Sequence, residues 1–70
     1  MTMLDYVQKR VEQIKKAIQE GKMVVIAKGK VKDIEIIPTD RSYMVRIVYE
    51  DGTDRMYYAT DFMKRKVEIL

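Results

Sequence analysis

The stretch that decides the fold is residues 45–58, which read VRIVYEDGTDRMYY. Two runs of β-branched and aromatic residues flank the pair Asp51-Gly52, and this pair is the strongest short-range signal for a β-hairpin. Side chains of these types suit the pleated, half-buried surface of a sheet. The stretch therefore predicts two antiparallel strands joined by a tight turn.

The register of this hairpin decides which side chains reach the core, because a shift of one residue moves every side chain to the other face. A two-residue turn pairs Ile47 with Met56 and leaves Arg46, Arg55 and Tyr57 on the outer face. A three-residue turn would instead place Arg55 on the face of Ile47, where a buried guanidinium without a partner is costly. We therefore predict the two-residue turn and an outer face that carries both arginines and the tyrosine.

Residues 3–20 are predicted to form a helix. Thr2 and Asp5 have the spacing of a short-armed capping box, and Gly21 suits the position after a helix end. The apolar residues recur at spacings of three and four along one stripe, which comprises Leu4, Val7, Val11, Ile14 and Ile18. We expect this stripe to pack on the chain's own sheet. The alternative is a homodimer in which the stripe meets a partner helix.

Residues 22–70 are predicted to be rich in β-structure. Gly29 interrupts the first apolar run, which indicates a bulge or sharp bend. The alternation then changes phase near Lys32 and Asp33, which indicates a second irregularity. One short helical turn is expected from Thr60 onward, before a last strand. We predict a single α+β domain over residues 1–70, with the helix packed on a bent, five-stranded antiparallel sheet.

The segment MVRIVYEDGTDRMYYATDFM, residues 44–63, resembles part of an SH3-like small β-barrel. It is similar to the third strand, tight turn, fourth strand and short helical turn of such domains. Tudor, chromo-type and archaeal chromatin proteins share this architecture, and the likeness extends from Met23 to Leu70. The resemblance implies an SH3-like sheet or open barrel for the β-rich part, and the N-terminal helix is an addition to the minimal barrel.

The composition excludes several classes of function. The chain has no cysteine and no histidine, so we expect no disulfide and no metal or other cofactor. The only serine is Ser42, beside a turn, and no nucleophile has a visible base, so we expect no enzymatic activity. No apolar run approaches the ~20 residues that span a bilayer. The N-terminus does not resemble a signal peptide, and we expect a cytoplasmic protein.

The net charge of +3 permits a nucleic-acid partner without requiring one. The candidate binding residues are the hairpin residues and two basic groups: Arg46, Arg55, Tyr57, Lys28, Lys30, Lys32, Lys64 and Arg65. Arginine suits phosphates and an aromatic ring suits a base or sugar, so we predict a small nucleic-acid-binding module that uses the outer face of the sheet.

Two alternatives to nucleic-acid binding remain open at this point. Arginine, tyrosine and methionine are also enriched at protein interfaces, which would suit an adaptor or inhibitor of the kind that phage and mobile-element genomes encode. The basic residues could equally be structural. In that case the lysines would guard an edge strand against pairing, and the arginine stems would cover apolar surface.

Overall fold

The computed structural model describes residues 2–70, and Met1 lies outside the described residues. In chain order the elements are α1 (Met3–Gln19), β1 (Val24–Ile26), β2 (Gly29–Pro38), β3 (Tyr43–Tyr49), β4 (Asp54–Tyr58), α2 (Ala59–Lys64) and β5 (Val67–Ile69). The strands form one antiparallel sheet in the order β4-β3-β2-β1-β5, and the sheet does not close. The predicted α+β class with an N-terminal helix on a five-stranded antiparallel sheet is confirmed.

The helix α1 begins at the predicted capping box. The Thr2 amide donates to Asp5 Oδ2 at 3.0 Å, and the Asp5 amide donates to Thr2 Oγ1 at 3.3 Å. These two bonds satisfy amides that have no partner within the helix. The helix ends at Gln19, one residue before the predicted end, and Gly21 takes the left-handed φ of 79° that the reversal requires.

The apolar stripe of α1 packs on the chain's own sheet, as predicted. Val7, Val11 and Ile14 are buried in the core, whereas Leu4 and Ile18 are partly exposed. The helix lies mainly against β2 and also contacts β1 and α2. The homodimer stays a prediction, and three residues of its proposed stripe already belong to the core of one chain.

The long strand β2 bends and joins the two parts of the sheet. Its first residues pair with β1, where Lys30 lies opposite Val25, and the remainder pairs with β3. The register shifts between Val31 and Asp33, which is the irregularity that the change of phase predicted.

The bulge or bend that was predicted at Gly29 lies just before this residue, in the turn between β1 and β2. Ala27 and Lys28 form this turn, with φ values of 52° and 66°. Gly29 itself belongs to β2 and lies under the ring of Tyr49. A Cβ atom at this position would lie 2.5 Å from Cδ1 and Cε1 of that ring. Glycine is therefore needed here because of a close approach between a strand and a buried ring.

The hairpin turn has three residues, which corrects the predicted two-residue turn. The Tyr49 amide donates to the Thr53 carbonyl at 2.8 Å, and the Gly52 amide donates to the Tyr49 carbonyl at 3.1 Å. Gly52 has a φ of 90°, whereas Asp51 is not among the residues with positive φ. A two-residue type I′ turn needs positive φ at both central residues, so the observed turn is a type I turn followed by a glycine bulge.

The longer turn shifts the register of β4 by one residue. Arg55 lies opposite Ile47, and Tyr57 lies opposite Val45. Residues that lie directly opposite each other share a face of the sheet. The prediction that Arg46, Arg55 and Tyr57 share an outer face is therefore wrong, because Arg46 faces the other way.

Because β4 lies at the edge of the sheet, this register does not bury the Arg55 side chain. Arg55 lies on the core side of the strand, yet its side chain is exposed beyond the edge of the packed core. Met56, which we predicted to face Ile47 in the core, lies on the outer face together with Tyr58, and the two side chains are 48% and 63% exposed. The two-residue turn was favoured because burying an unpaired guanidinium costs free energy. This cost does not arise in the observed register, because the Arg55 side chain is exposed.

Candidate functional site

The core side of β4 and the connection from α2 to β5 bring basic side chains together around one aromatic ring. The guanidinium carbon of Arg65 lies 5.2 Å from the centre of the Tyr57 ring. Arg55 lies close enough to Tyr57 for the tyrosine side chain to raise the pKa of the guanidinium. Lys28, in the β1–β2 turn, lines the same groove as Arg65 and Lys66. We call Lys28, Arg55, Tyr57 and Arg65 the Tyr57 cluster.

Tyr49 ties the Tyr57 cluster to the core. The Tyr49 hydroxyl donates to the carbonyl of Ile26 at 3.1 Å, immediately before the β1–β2 turn. Burial raises the pKa of Tyr49, and the neighbouring Tyr57 raises it further, whereas Arg55 and Arg65 lower it. Both guanidinium groups therefore lie close enough to this buried ring for their charge to act on it.

Within residues 2–70, Lys28, Arg55 and Arg65 of the Tyr57 cluster form no ion pair. Among residues 2–70, no carboxylate lies within 4.0 Å of the charged nitrogens of Lys28, Arg55 or Arg65. Interaction with the Tyr57 hydroxyl raises the pKa of Arg55, so this group keeps its charge at any physiological pH. Lys66 differs, because it forms an ion pair with Glu68 at 3.5 Å.

Arg10 of α1 positions Arg65, and no pattern in the sequence pointed to it. Arg10 Nη1 donates to the carbonyl of Met63 at 3.2 Å and to that of Arg65 at 3.3 Å. These carbonyls lie at the end of α2, where the last helical carbonyls have no partner within the helix. The acceptors are 53 and 55 residues away along the chain, so only the packing of α1 against α2 creates the contact.

Arg46 lies on the opposite face of the sheet and is neutralised there. Its Nε lies 2.9 Å from Asp54 Oδ2, and its Nη1 lies 3.2 Å from Glu35 Oε1. Hydrogen bonds to Asp54 and then to Glu35 raise the pKa of Arg46. Arg46 is therefore not part of the Tyr57 cluster.

The outer face of β2, β3 and β4 is acidic and apolar, although we predicted a basic surface. Asp33, Glu35 and Asp54 supply three carboxylates there, and Arg46 supplies the guanidinium between them. The apolar end of this face consists of Ile37, Met44, Met56 and Tyr58. From here on, the outer face means these eight residues of the structure, and no longer the predicted face that included Arg55 and Tyr57.

The three predicted strand lysines do not lie together. Lys28 is in the turn, whereas Lys30 and Lys32 line a separate groove with Lys22 near the end of α1. The strand β2 is internal to the sheet, so these lysines do not guard an edge, and that structural explanation is wrong. Lys64 is the last residue of α2 and is exposed.

Two further properties concern the described part of the chain as a whole. Neither helix within residues 2–70 has the length and apolar character that a membrane crossing requires. Across the same residues, no three side chains among His, Cys, Asp and Glu come together as a metal site.

Comparisons of the chain with protein-family models, with curated proteins and with solved structures find no match.

Proposed function

We propose that the protein is a small, non-enzymatic binding module that holds the phosphate backbone of a nucleic acid in the Tyr57 cluster. One observation carries the proposal: Arg55 and Arg65, neither of which pairs with a carboxylate among residues 2–70, lie at a single aromatic ring, and Lys28 lines the groove beside Arg65. Arginine and lysine contact phosphates, and aromatic rings contact bases or sugars, so the cluster combines the two groups that nucleic-acid binding uses.

The distribution of charge supports this location for the site. The outer face carries three carboxylates and one ion-paired arginine, whereas the Tyr57 cluster carries three cations, and the one carboxylate in the adjoining groove, Glu68, is paired with Lys66. A polyanion is attracted to the cationic side and repelled by the acidic one, so the charge distribution orients the approach. The outer face, which the sequence suggested for this role, is not the proposed site.

We also infer that the sheet belongs to the SH3-like small barrels. The strand order, the bent β2 shared by both parts of the sheet and the short helix between β4 and β5 support this assignment. The sequence resemblance to archaeal chromatin proteins agrees with a nucleic-acid partner, and this agreement is support by analogy.

Fluorescence anisotropy with labelled single-stranded and duplex oligonucleotides tests the proposed function. Binding should weaken steeply as salt is added, with a log–log slope of about −0.7 per phosphate for single strands and −0.9 for duplexes. Absence of binding to both probes at low salt would overturn the proposal.

A matched pair of variants locates the site. Arg55→Gln removes an unpaired cation, so it should weaken binding and reduce the steepness of the slope by about 0.7–0.9. Arg46→Gln removes the same charge from the neighbouring strand, but from the outer face, and should leave the affinity nearly unchanged. Equal losses in the two variants would show that only net charge matters and would exclude the Tyr57 cluster as the site.

Protein binding through the outer face is a second candidate function, as an adaptor or inhibitor. It is favoured by the exposure of Met56 and Tyr58, which lie next to Met44 on the outer face. Methionine and tyrosine are enriched in interfaces. A partner recovered with the wild-type protein and lost with Tyr58→Ser, while oligonucleotide affinity is retained, would support this function. Recovery of the same proteins with both would exclude it.

A further inference from the structure

The guanidinium of Arg65 lies over the ring of Tyr57, and packing against the core holds this ring in place. The Tyr57 side chain is partly buried and packs against the hydrophobic core, so its ring does not rotate freely. Arg65 lies over this ring and is itself exposed. The planar group is thus held at the surface by a cation–π contact and keeps an exposed side.

The main chain of Arg65 is held at both of its polar groups. Its amide donates to the carbonyl of Phe62 at 3.0 Å, and its carbonyl accepts from Arg10 at 3.3 Å. A side chain that starts from a fixed main chain and rests on a fixed ring loses little freedom when a ligand binds. Preorganisation of this kind strengthens binding by lowering the entropy cost.

The chemistry of this surface suits a nucleobase. Unpaired bases stack on arginine planes as well as on aromatic rings, and the nearby Arg55 and Lys28 supply positive charge for the adjoining phosphates. Within a duplex, both faces of each internal base are covered by adjacent bases, so an internal base must be unpaired before it can stack on Arg65. We infer that the ligand of the Tyr57 cluster is a single-stranded nucleic acid with one base stacked on Arg65, an inference that rests on the proposed function.

The decisive comparison uses three labelled probes of equal length: an oligodeoxythymidylate, the same strand with abasic sites in place of its bases, and a duplex. The abasic strand keeps the phosphates and sugars but cannot stack. We expect the base-bearing strand to bind about tenfold more tightly than the abasic strand, since one stacked base contributes ~1–3 kcal/mol. Equal binding of the base-bearing and abasic strands, or tighter binding of the duplex than of the base-bearing strand, would overturn the inference and leave the proposed function standing.

A conservative substitution assigns the stacking to Arg65. Arg65→Lys retains the charge and removes the plane, so it should abolish the preference for the base-bearing strand over the abasic strand. Tyr57→Leu, which removes the ring beneath Arg65, should abolish the same preference. A base preference that survives in both folded variants, as judged by circular dichroism, would overturn the role of Arg65. If no probe binds the wild-type protein, the proposed function falls and the inference falls with it.

Discussion

At the scale of single residues, Gly29 is the position where the fold leaves least room. We expect Gly29→Ala to lower the free energy of unfolding by about 1–3 kcal/mol, because the buried Tyr49 ring must move away from the added methyl group. Urea denaturation followed by circular dichroism measures this change. In Gly52→Ala the methyl group meets no atom within 4 Å, so this control carries only the strain of positive φ. A wild-type urea midpoint for Gly29→Ala would contradict the close approach.

Asp51 gives a pH dependence whose sign follows from its hydrogen bonds. The hydroxyl and then the amide of Thr53 donate to Asp51 Oδ1, at 2.6 and 2.9 Å, and hold the pKa of this carboxyl below its ordinary value. Because the pKa is lower in the folded state, the carboxylate adds stability above its unfolded pKa of ~3.9, and this stability is lost as pH falls through the folded pKa.

Thermal denaturation of the wild-type protein and Asp51→Asn between pH 6 and 2 measures the effect of this carboxyl. The wild-type protein should melt higher at pH 6, and the difference should shrink below about pH 4. A difference that stays constant over this range would show that ionisation of Asp51 does not matter.

At the scale of elements, the register of the β3–β4 hairpin can be tested by cross-linking. Arg46 and Met56 lie opposite each other, and the hydrogen bond from Tyr49 to Thr53 makes theirs a non-hydrogen-bonded pair by alternation along the strands. The Cα atoms of such a pair are about 4.5 Å apart, which a disulfide can bridge. The double variant Arg46→Cys with Met56→Cys should therefore oxidise readily, as measured by thiol titration.

The control for this cross-link pairs Ile47→Cys with Met56→Cys, two positions that would face each other only with a two-residue turn. This variant should stay reduced under the same conditions. The wild-type chain has no cysteine, so no other thiol interferes. Preferential oxidation of the control would show that the hairpin turn has two residues.

The contact between α1 and α2 depends on Arg10. We expect Arg10→Ala to lower the free energy of unfolding by about 1–2 kcal/mol, because carbonyls at the end of α2 lose a charged donor. The same variant should weaken oligonucleotide binding, since the main chain of Arg65 is no longer held. Lys9→Ala, at an exposed neighbouring position of α1, should change the stability by less than about 0.5 kcal/mol. Equal effects of the two substitutions would contradict the role of Arg10.

At the scale of the whole molecule, one thin core holds the helix to the sheet. Ile14 is 1% exposed, and Ile14→Ala should cost about 2–5 kcal/mol. A core of this size supplies only ~3–5 kcal/mol in all, so urea denaturation should show that the variant has lost most of its free energy of unfolding. The denaturation midpoint of the wild-type protein should not depend on protein concentration. A midpoint that rises with concentration would favour the homodimer over the monomer.

Much of the fold could be predicted because it depends on neighbours in the chain. The capping box at Thr2 and Asp5 and the stripe of α1 follow from spacing alone. The bulge between Val31 and Asp33 follows from a change of alternation. The hairpin register could not be predicted in this way, because the pair Asp51-Gly52 is compatible with turns of two and three residues.

The candidate site was predicted in part. Arg55, Tyr57, Arg65 and Lys28 were named among the candidates. The structure brings the first three together and places Lys28 in the groove beside Arg65. Arg46 was assigned to the same surface and is not there, because its face of the sheet depends on a register that was predicted wrongly. The role of Arg10 had no signal in the sequence, since its acceptors come from the far end of the chain.

By itself, the sequence determined the features set by local physics: where the helix begins, and where strands alternate or change phase. Only the tertiary structure decided the hairpin register, the neutralisation of Arg46 and the grouping of cations around Tyr57. The physical reason is that an edge strand exposes even its core side. The burial of residues 54–58 therefore depends on which strands lie beside them, and this cannot be predicted from the pattern of residues 54–58 alone.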